Sequence, residues 1–170
     1  VLVLSPHTDD GELGAGGTIA KLTEKNISVD MIAFSYCNEK NNIKAVKKAA
    51  EILSINKLEI LDFTRRIFPK QRQDILQVLY DYNQNHKPDL ILTPTTTDLH
   101  QDHDVVTQEA MRAFKSSTIL GYEMPWNNIQ ITTNSFIPLT EQQVDKKINA
   151  LKKYDTQLNR YYFNEEYFRS

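Results

Sequence analysis

Residues 1–22 read VLVLSPHTDDGELGAGGTIAKL and place three features in one stretch. An apolar, β-branched run comes first, a histidine and paired aspartates follow it, and four glycines come next. Short apolar runs of this kind are typical of strands that a parallel sheet buries on both faces. We therefore expect residues 1–5 to form a buried strand that leads into a polar, glycine-rich turn.

The same alternation continues along the chain. Helical spacing of apolar residues predicts helices around 43–53 and 75–86, a further helix over 103–115, and a last helix that Thr140 and Gln143 open as a capping box. Residues that line this last helix are predicted to be Val144, Ile148, Leu151 and Leu158. Further strands are expected at 29–36, 58–63 and 89–93, with irregular β structure over 118–137.

Alternation of strands and helices predicts an α/β fold with an open, mostly parallel sheet and right-handed crossovers. In such sheets, ligands bind beyond the carboxyl ends of the strands, at the point where the strand order reverses. If the order is 3-2-1-4-5, that point lies between strands one and four. The loops after Ser5 and Thr93 should then face each other.

Composition excludes several classes of protein. The 170 residues include 20 Lys and Arg against 22 Asp and Glu, a formal net charge of -2, so we expect no nucleic-acid partner. The apolar runs are far shorter than the roughly 20 residues of a membrane span. The single cysteine, Cys37, rules out an intrachain disulfide and fits a reducing compartment, so we expect a cytoplasmic protein.

Three of the four histidines lie in the two loops that should face each other. His7 and Asp10 follow the first strand, and His103 lies in the second loop, TPTTTDLHQDHD (residues 93–104). Two imidazoles and one carboxylate suit Zn²⁺ with an open position for water, which is the catalytic arrangement. The same set also suits non-haem Fe²⁺ or another divalent metal.

Asp9 and His100 remain after these ligands are assigned. A carboxylate beside a metal-activated water takes its proton, and a histidine across the site polarises a carbonyl and protonates a leaving amine. The alternative is that Asp9 and Asp10 cap the first helix while Asp102 or Asp104 caps the fourth. Capping leaves the meeting of three histidines at one point unexplained, so we favour the metal site.

Other motifs are absent or incomplete. The glycine loop fails the dinucleotide pattern G-x-G-x-x-G because Ile19 stands at the third glycine position. There is no H-E-x-x-H, G-x-S-x-G or C-x-x-C. His86 closes a helix whose C-terminal dipole favours a cation, and we interpret it as structural.

Two motifs of the sequence resemble those of the LmbE-like (PIG-L) deacetylase family. The family's P-H-x-D-D-E opening is similar to PHTDDGELGAGGTIAKL (residues 6–22), and its H-x-x-H element is similar to HQDHDVV (100–106). PDLILTP (88–94) and KKINALKKYDTQ (146–157) extend the match. The resemblance implies a Rossmann-like three-layer sandwich and a mononuclear zinc that hydrolyses N-acyl groups, usually on N-acetylglucosamine-type substrates. Departures from the family pattern fall at Thr8, Gly11, Tyr154 and Thr156.

Carried over by position, the resemblance makes His7, Asp10 and His103 the metal ligands, Asp9 the general base, and His100 the group that faces the tetrahedral intermediate. Further candidates, for contact with the substrate, are Asp98, Tyr122, Trp126 and Arg65. The two aromatic residues fit sugar stacking or core packing. Arg65 fits an anionic substrate group or an exposed loop.

The expected domain is a single LmbE-like unit over residues 1–170 that lacks its C-terminal end, because family chains tend to continue further. The aromatic residues near the C-terminal end of the sequence, the aromatic tail, would then need to be buried by further chain or by a partner, which is compatible with an oligomer. Its members are Tyr161, Tyr162, Phe163, Tyr167 and Phe168. The hypothesis is a zinc-dependent deacetylase of an N-acetylated amino sugar, free or within a glycoconjugate. Its alternatives are an inactive sugar-binding or regulatory module and a non-haem iron enzyme.

Overall fold

A computed structural model describes residues 1–130, 132–155, 160 and 163–169. The strands are β1 (Leu2–His7), β2 (Asp30–Ser35), β3 (Lys57–Ile60), β4 (Leu90–Pro94) and β5 (Thr118–Tyr122). The helices are α1 (Asp10–Glu24), α2 (Lys40–Leu53), α3 (Arg72–His86), α4 (Gln101–Ala113), α5 (Glu141–Leu151) and α6 (Glu165–Arg169). Short 3-10 turns cover Phe68–Lys70 and Pro125–Asn127. No helix among the described residues is both long and apolar enough to cross a membrane.

The sheet has the order β3-β2-β1-β4-β5, and neighbouring strands all pair in parallel. Leu4 lies opposite Ile32 on one side, and Leu2 lies opposite Ile91 on the other. The predicted strand order is confirmed, and the reversal of order falls between β1 and β4. The carboxyl ends of β1 and β4 therefore meet at one edge of the sheet, where the two polar loops begin.

Helices cover both faces of the sheet, so the expected three-layer α/β sandwich is confirmed. On one face, apolar residues of α1, α2 and α5 form a core with Val3 and Met31. On the other face, α3 and α4 pack on Leu4 and Phe34. Gly14 lets α1 approach β5, because a Cβ there would lie only 2.0 Å from the Tyr122 ring.

Several element bounds differ from the sequence-based expectation. Among the described residues of the region expected as irregular β structure, only Thr118–Tyr122 is strand, and residues 132–139 form neither strand nor helix. The capping box at Thr140 is confirmed, but α5 ends at Leu151. Leu158, Thr156, Tyr161 and Tyr162 lie outside the described residues. Phe163 of the aromatic tail is 5% exposed and joins the core beside Phe168.

Candidate metal and catalytic site

His7, Asp10 and His103 converge where β1 and β4 end. His7 is the last residue of β1, Asp10 is the first residue of α1, and His103 lies in the first turn of α4. Asp10 Oδ2 lies 3.0 Å from His7 Nδ1 and 3.1 Å from His103 Nε2. All three side chains are buried, and their ligand atoms lie within 4.8 Å of one another. The structure thus brings together the two imidazoles and the carboxylate that the sequence predicts as a ligand set.

Each of these imidazoles has a second carboxylate on its other nitrogen. His7 Nε2 lies 3.0 Å from Asp102 Oδ2, and His103 Nδ1 lies 2.7 Å from Asp98 Oδ2. Histidines that bind metals use this arrangement, since the outer carboxylate fixes the tautomer and the ring orientation. The ring nitrogens that face Asp10 are therefore oriented toward the centre of the cluster.

Backbone N–H groups hold the two outer carboxylates in place. Asp98 Oδ1 accepts a hydrogen bond from the His100 N–H at 2.8 Å. Asp102 accepts from the N–H of Arg66 at 2.6 Å and from that of Phe68 at 3.2 Å. Arg66 adopts a left-handed backbone with φ 71°, which aims its N–H at Asp102. The loop after β3 thereby helps to orient His7 through Asp102.

Electrostatics of the cluster favour a cation at its centre. Burial by itself lowers the pKa of His7 and of His103, but the Asp10 charge and the hydrogen bonds that the rings donate to Asp10 and to the outer carboxylates raise these values to about 9 and about 10. Burial opposes ionisation of Asp10, yet the two imidazoles hold its pKa well below the usual range. A divalent cation that displaces the two imidazole protons would supply the same compensation for the buried carboxylate.

Asp9 lies between His7 and Asp10 in the sequence and is half-buried at the N-cap position of α1. Its side chain makes no capping hydrogen bond, so the capping alternative does not account for it. Burial, and next the negative charge of Asp10, raise the pKa of Asp9 to about 6. A carboxylate with a pKa near the operating pH suits general-base chemistry.

His100 lies beside His7 and His103 at the N-cap of α4. Its Nδ1 accepts the Asp102 N–H at 3.2 Å, so His100 caps the helix rather than Asp102 or Asp104. The His100 ring stacks on His103 with 4.6 Å between ring centroids. Burial and the neighbouring histidines lower the pKa of His100. In the neutral ring, Nδ1 is the acceptor and Nε2 carries the proton, so Nε2 is a hydrogen-bond donor.

The candidates for substrate contact lie in different surroundings. Asp98 is buried against His103, as described above. Tyr122 is 7% exposed, and its hydroxyl donates to the Leu4 carbonyl at 2.7 Å, which is the packing of a core residue. Trp126 packs at the margin of the core. Arg65 is exposed in the loop after β3, next to the residue whose N–H reaches Asp102.

Sequence reasoning gives no site role to Asp102, Glu12 or Tyr154. Helix capping accounts for Asp102 in the sequence, although its place between His100 and His103 is a signal that it shares their site. Glu12 is fully buried, and burial raises its pKa to about 8. The Tyr154 hydroxyl lies 2.7 Å from Glu12 Oε1, a contact between distant parts of the chain that no local pattern indicates.

Fold and cluster together define an α/β protein with a candidate divalent-metal site at the switch point of its sheet. Within that class, the family model for GlcNAc-PI de-N-acetylase (PIG-L) matches residues 2–114, a range that includes the candidate ligand set and the flanking positions Asp9 and His100. The chain belongs to the PIG-L family, as its motifs predict.

Several of the similar proteins are deacetylases by name. The uncharacterized deacetylase YaiS of Escherichia coli K12 is 28% identical over 165 residues, which cover 91% of this chain and 89% of that protein. Diacetylchitobiose deacetylase of Thermococcus kodakarensis is 29% identical over 110 residues, 55% of this chain and 40% of that protein. A solved triple mutant of the teicoplanin-pathway deacetylase Orf2 superposes with a TM-score of 0.81 at 17% identity, over 99% of this chain and 87% of that one. YaiS and the diacetylchitobiose deacetylase support deacetylation, the hydrolysis of an amide, as the reaction class, and the Orf2 structure shows the shared fold.

Proposed function

We propose that this protein is a zinc-dependent N-deacetylase that removes an acetyl group from an N-acetylglucosamine-type sugar or glycoconjugate. One observation carries the proposal. The buried side chains of His7 and His103 both contact the same carboxylate oxygen, Oδ2 of Asp10. Support for a sugar substrate comes from the matched diacetylchitobiose deacetylase.

The donor set fits a zinc ion. Two imidazole nitrogens and one carboxylate oxygen are ordinary zinc ligands, and three protein ligands leave a position open. His7, Asp10 and His103 would hold the ion, with Asp102 and Asp98 behind the two histidines. When bound, zinc supplies Lewis acidity that makes water a nucleophile near neutral pH. Metal analysis separates zinc from Fe²⁺, which the same residues accept.

Asp9 and His100 perform the proton and oxyanion chemistry in this proposal. Asp9 takes a proton from the attacking water, since it is a carboxylate directly beside the proposed ligand Asp10 and makes no capping hydrogen bond. His100 donates its Nε2 hydrogen to the oxygen that develops negative charge, because its Nδ1 is already occupied by the Asp102 N–H. The water oxygen forms a bond to the acetyl carbon, the C–N bond breaks, and Asp9 returns its proton to the leaving amine, which gives acetate and a free amino sugar.

A comparison of amides with and without a sugar tests the substrate class. We expect the zinc-loaded protein to release amine from N-acetylglucosamine and its β-1,4 dimer, and to leave an N-acetylated lysine peptide intact. Equal hydrolysis of the peptide would contradict the sugar assignment while retaining amide hydrolysis. Tight zinc binding without hydrolysis of any amide would instead favour an inactive sugar-binding module.

A further inference from the structure

We propose that Tyr154 and Glu12 are positioning residues that hold the turn carrying Asp9, an inference that rests on the general-base role proposed for Asp9. Both residues are buried, at 1% and 0% exposure, and neither belongs to the candidate ligand set. They lie 142 positions apart and meet under the turn that joins β1 to α1.

The Tyr154 hydroxyl connects two groups of this turn. It donates a hydrogen bond to the carbonyl oxygen of Thr8, and it lies 2.7 Å from Glu12 Oε1. Glu12 Oε2 has no hydrogen-bond partner within the part of the chain that the structure describes. A buried carboxyl group with an unsatisfied oxygen lowers stability, so an apolar residue would be the better choice for packing alone. The contact with Tyr154 gives this carboxyl group a structural role, because it helps to hold the phenol in place.

The Thr8 carbonyl belongs to the peptide bond that leads directly into Asp9. Because a peptide unit is planar, a hydrogen bond to that carbonyl fixes the direction in which the chain enters the Asp9 Cα. The adjacent parts of the turn have their own constraints: Ser5 Oγ donates to the His7 carbonyl and accepts from the Gly11 N–H at 2.8 Å. Tyr154 thus constrains the one peptide plane that precedes the proposed base.

Close packing of α5 on α1 brings Tyr154 to this position. Gly16 allows the approach, because a Cβ there would lie 2.9 Å from Lys147 Cγ on α5. Tyr154 follows the end of α5 by three residues, and its N–H donates to the Leu151 carbonyl at 3.0 Å. The phenol group of Tyr154 therefore connects the end of α5 to the turn that carries Asp9.

Isosteric substitutions test this role without leaving a cavity. For Tyr154→Phe we expect kcat to fall roughly tenfold, with KM and zinc content unchanged, because the proposed base is displaced while the ligands and substrate contacts stay. Glu12→Gln should retain kcat within about twofold, since an amide still hydrogen-bonds the phenol. Glu12→Leu should cause a smaller loss than Tyr154→Phe, because the phenol keeps its hydrogen bond to the Thr8 carbonyl but loses its second contact.

Tyr82→Phe is the matched control. It also removes a hydroxyl bonded to a carboxylate, Asp30 Oδ2 at 2.6 Å, but at the opposite end of the sheet. Equal losses of kcat in Tyr154→Phe and Tyr82→Phe, at equal losses of thermal stability, would overturn the proposal.

Hydrogen exchange of the turn provides a readout that does not need activity. Amides of residues 9–13 should exchange faster in Tyr154→Phe than in the wild type or in Tyr82→Phe. Unchanged exchange there would also overturn the positioning role. A wild-type protein with zinc but no deacetylase activity would refute the proposed function alone, and the exchange result would still decide whether Tyr154 orders the turn.

Discussion

Asp9 and Asp10 are adjacent in sequence but have different environments, and the difference assigns them different roles. Asp10 contacts two imidazoles, whereas Asp9 is half-buried with a pKa raised to about 6 by burial and by the Asp10 charge. We expect Asp9→Asn to lower kcat/KM by about 10²–10⁴-fold while zinc content stays the same. Asp81→Asn, at an exposed carboxylate on α3, is the control for loss of charge. Normal turnover by Asp9→Asn would show that Asp9 is not the base.

Asp98 is a sequence-based candidate for substrate contact, and its bond to His103 suggests a different effect on substitution. Because its carboxylate orients a proposed ligand, Asp98→Asn should weaken zinc binding by about 10–100-fold. Titration against a chelating indicator measures that affinity. A raised KM at unchanged zinc affinity would instead support direct contact between Asp98 and the substrate.

The protonated histidines of the metal-free site make zinc binding depend on pH. The pKa values of His7 and His103 are raised to about 9 and about 10, so both rings are positively charged at neutral pH. Each ring must therefore lose one proton when it binds zinc. The apparent zinc affinity should therefore rise with pH from about 6 to about 9, with close to two protons released per zinc at about pH 7. Calorimetry in two buffers of different ionisation enthalpy measures the release. Affinity that is independent of pH would contradict this charge state.

At the scale of elements, the contact between α1 and β5 depends on Gly14. A Cβ at this position would lie 2.0 Å from the Tyr122 ring, so Gly14→Ala should lower the free energy of unfolding by about 1–3 kcal/mol despite the better helix propensity of alanine. Urea denaturation measures the change. The double variant Gly14→Ala/Tyr122→Leu should lose less stability than the sum of the losses of the two single variants. A single variant as stable as the wild type would show that the ring moves aside freely.

Elements with strong local patterns are predictable, and those set by distant contacts are not. The β1 run, the helical spacing of α2 and the capping box at Thr140 depend on neighbouring residues, so sequence alone locates them. The predicted start of α4 falls two residues too late because its cap is His100, a side chain to which sequence reasoning assigns catalysis. The predicted end of α5 also falls too late. The helix ends at Leu151, whereas the apolar spacing continues to Leu158, and such spacing does not locate a helix end.

At the scale of the whole molecule, parallel strand order explains why the proximity of the candidate ligands was predictable and the contacts that support them were not. The reversal between β1 and β4 brings their two loops together, so Asp10 and His103, which are far apart in the sequence, could be assigned to one site. The contact of Asp102 with the loop after β3, and that of Tyr154 with Glu12, depend on side-chain packing between separate elements. No spacing in the sequence encodes such contacts.

Zinc should stabilise the whole fold, because the site joins β1, α1 and α4. Zinc at about 100 times its Kd adds about 2.7 kcal/mol, which corresponds to a rise in Tm of about 5–10 °C for a chain of this size. His103→Ala should lose this rise. His86→Ala should keep it, since His86 stacks on Tyr82 with 4.1 Å between ring centroids and lies away from the site. An equal rise in all three proteins would place zinc elsewhere.

Acetate release counted against bound metal tests the central claim most directly. Protein stripped by a chelator and then reloaded with one equivalent of zinc is assayed on N,N'-diacetylchitobiose, with His103→Ala in parallel. We expect no acetate release from the stripped protein and restored release at one zinc per chain. His103→Ala should neither bind stoichiometric zinc nor release acetate. Undiminished hydrolysis by the stripped protein, or full activity of His103→Ala, would contradict a metal-dependent deacetylase centred on His7, Asp10 and His103.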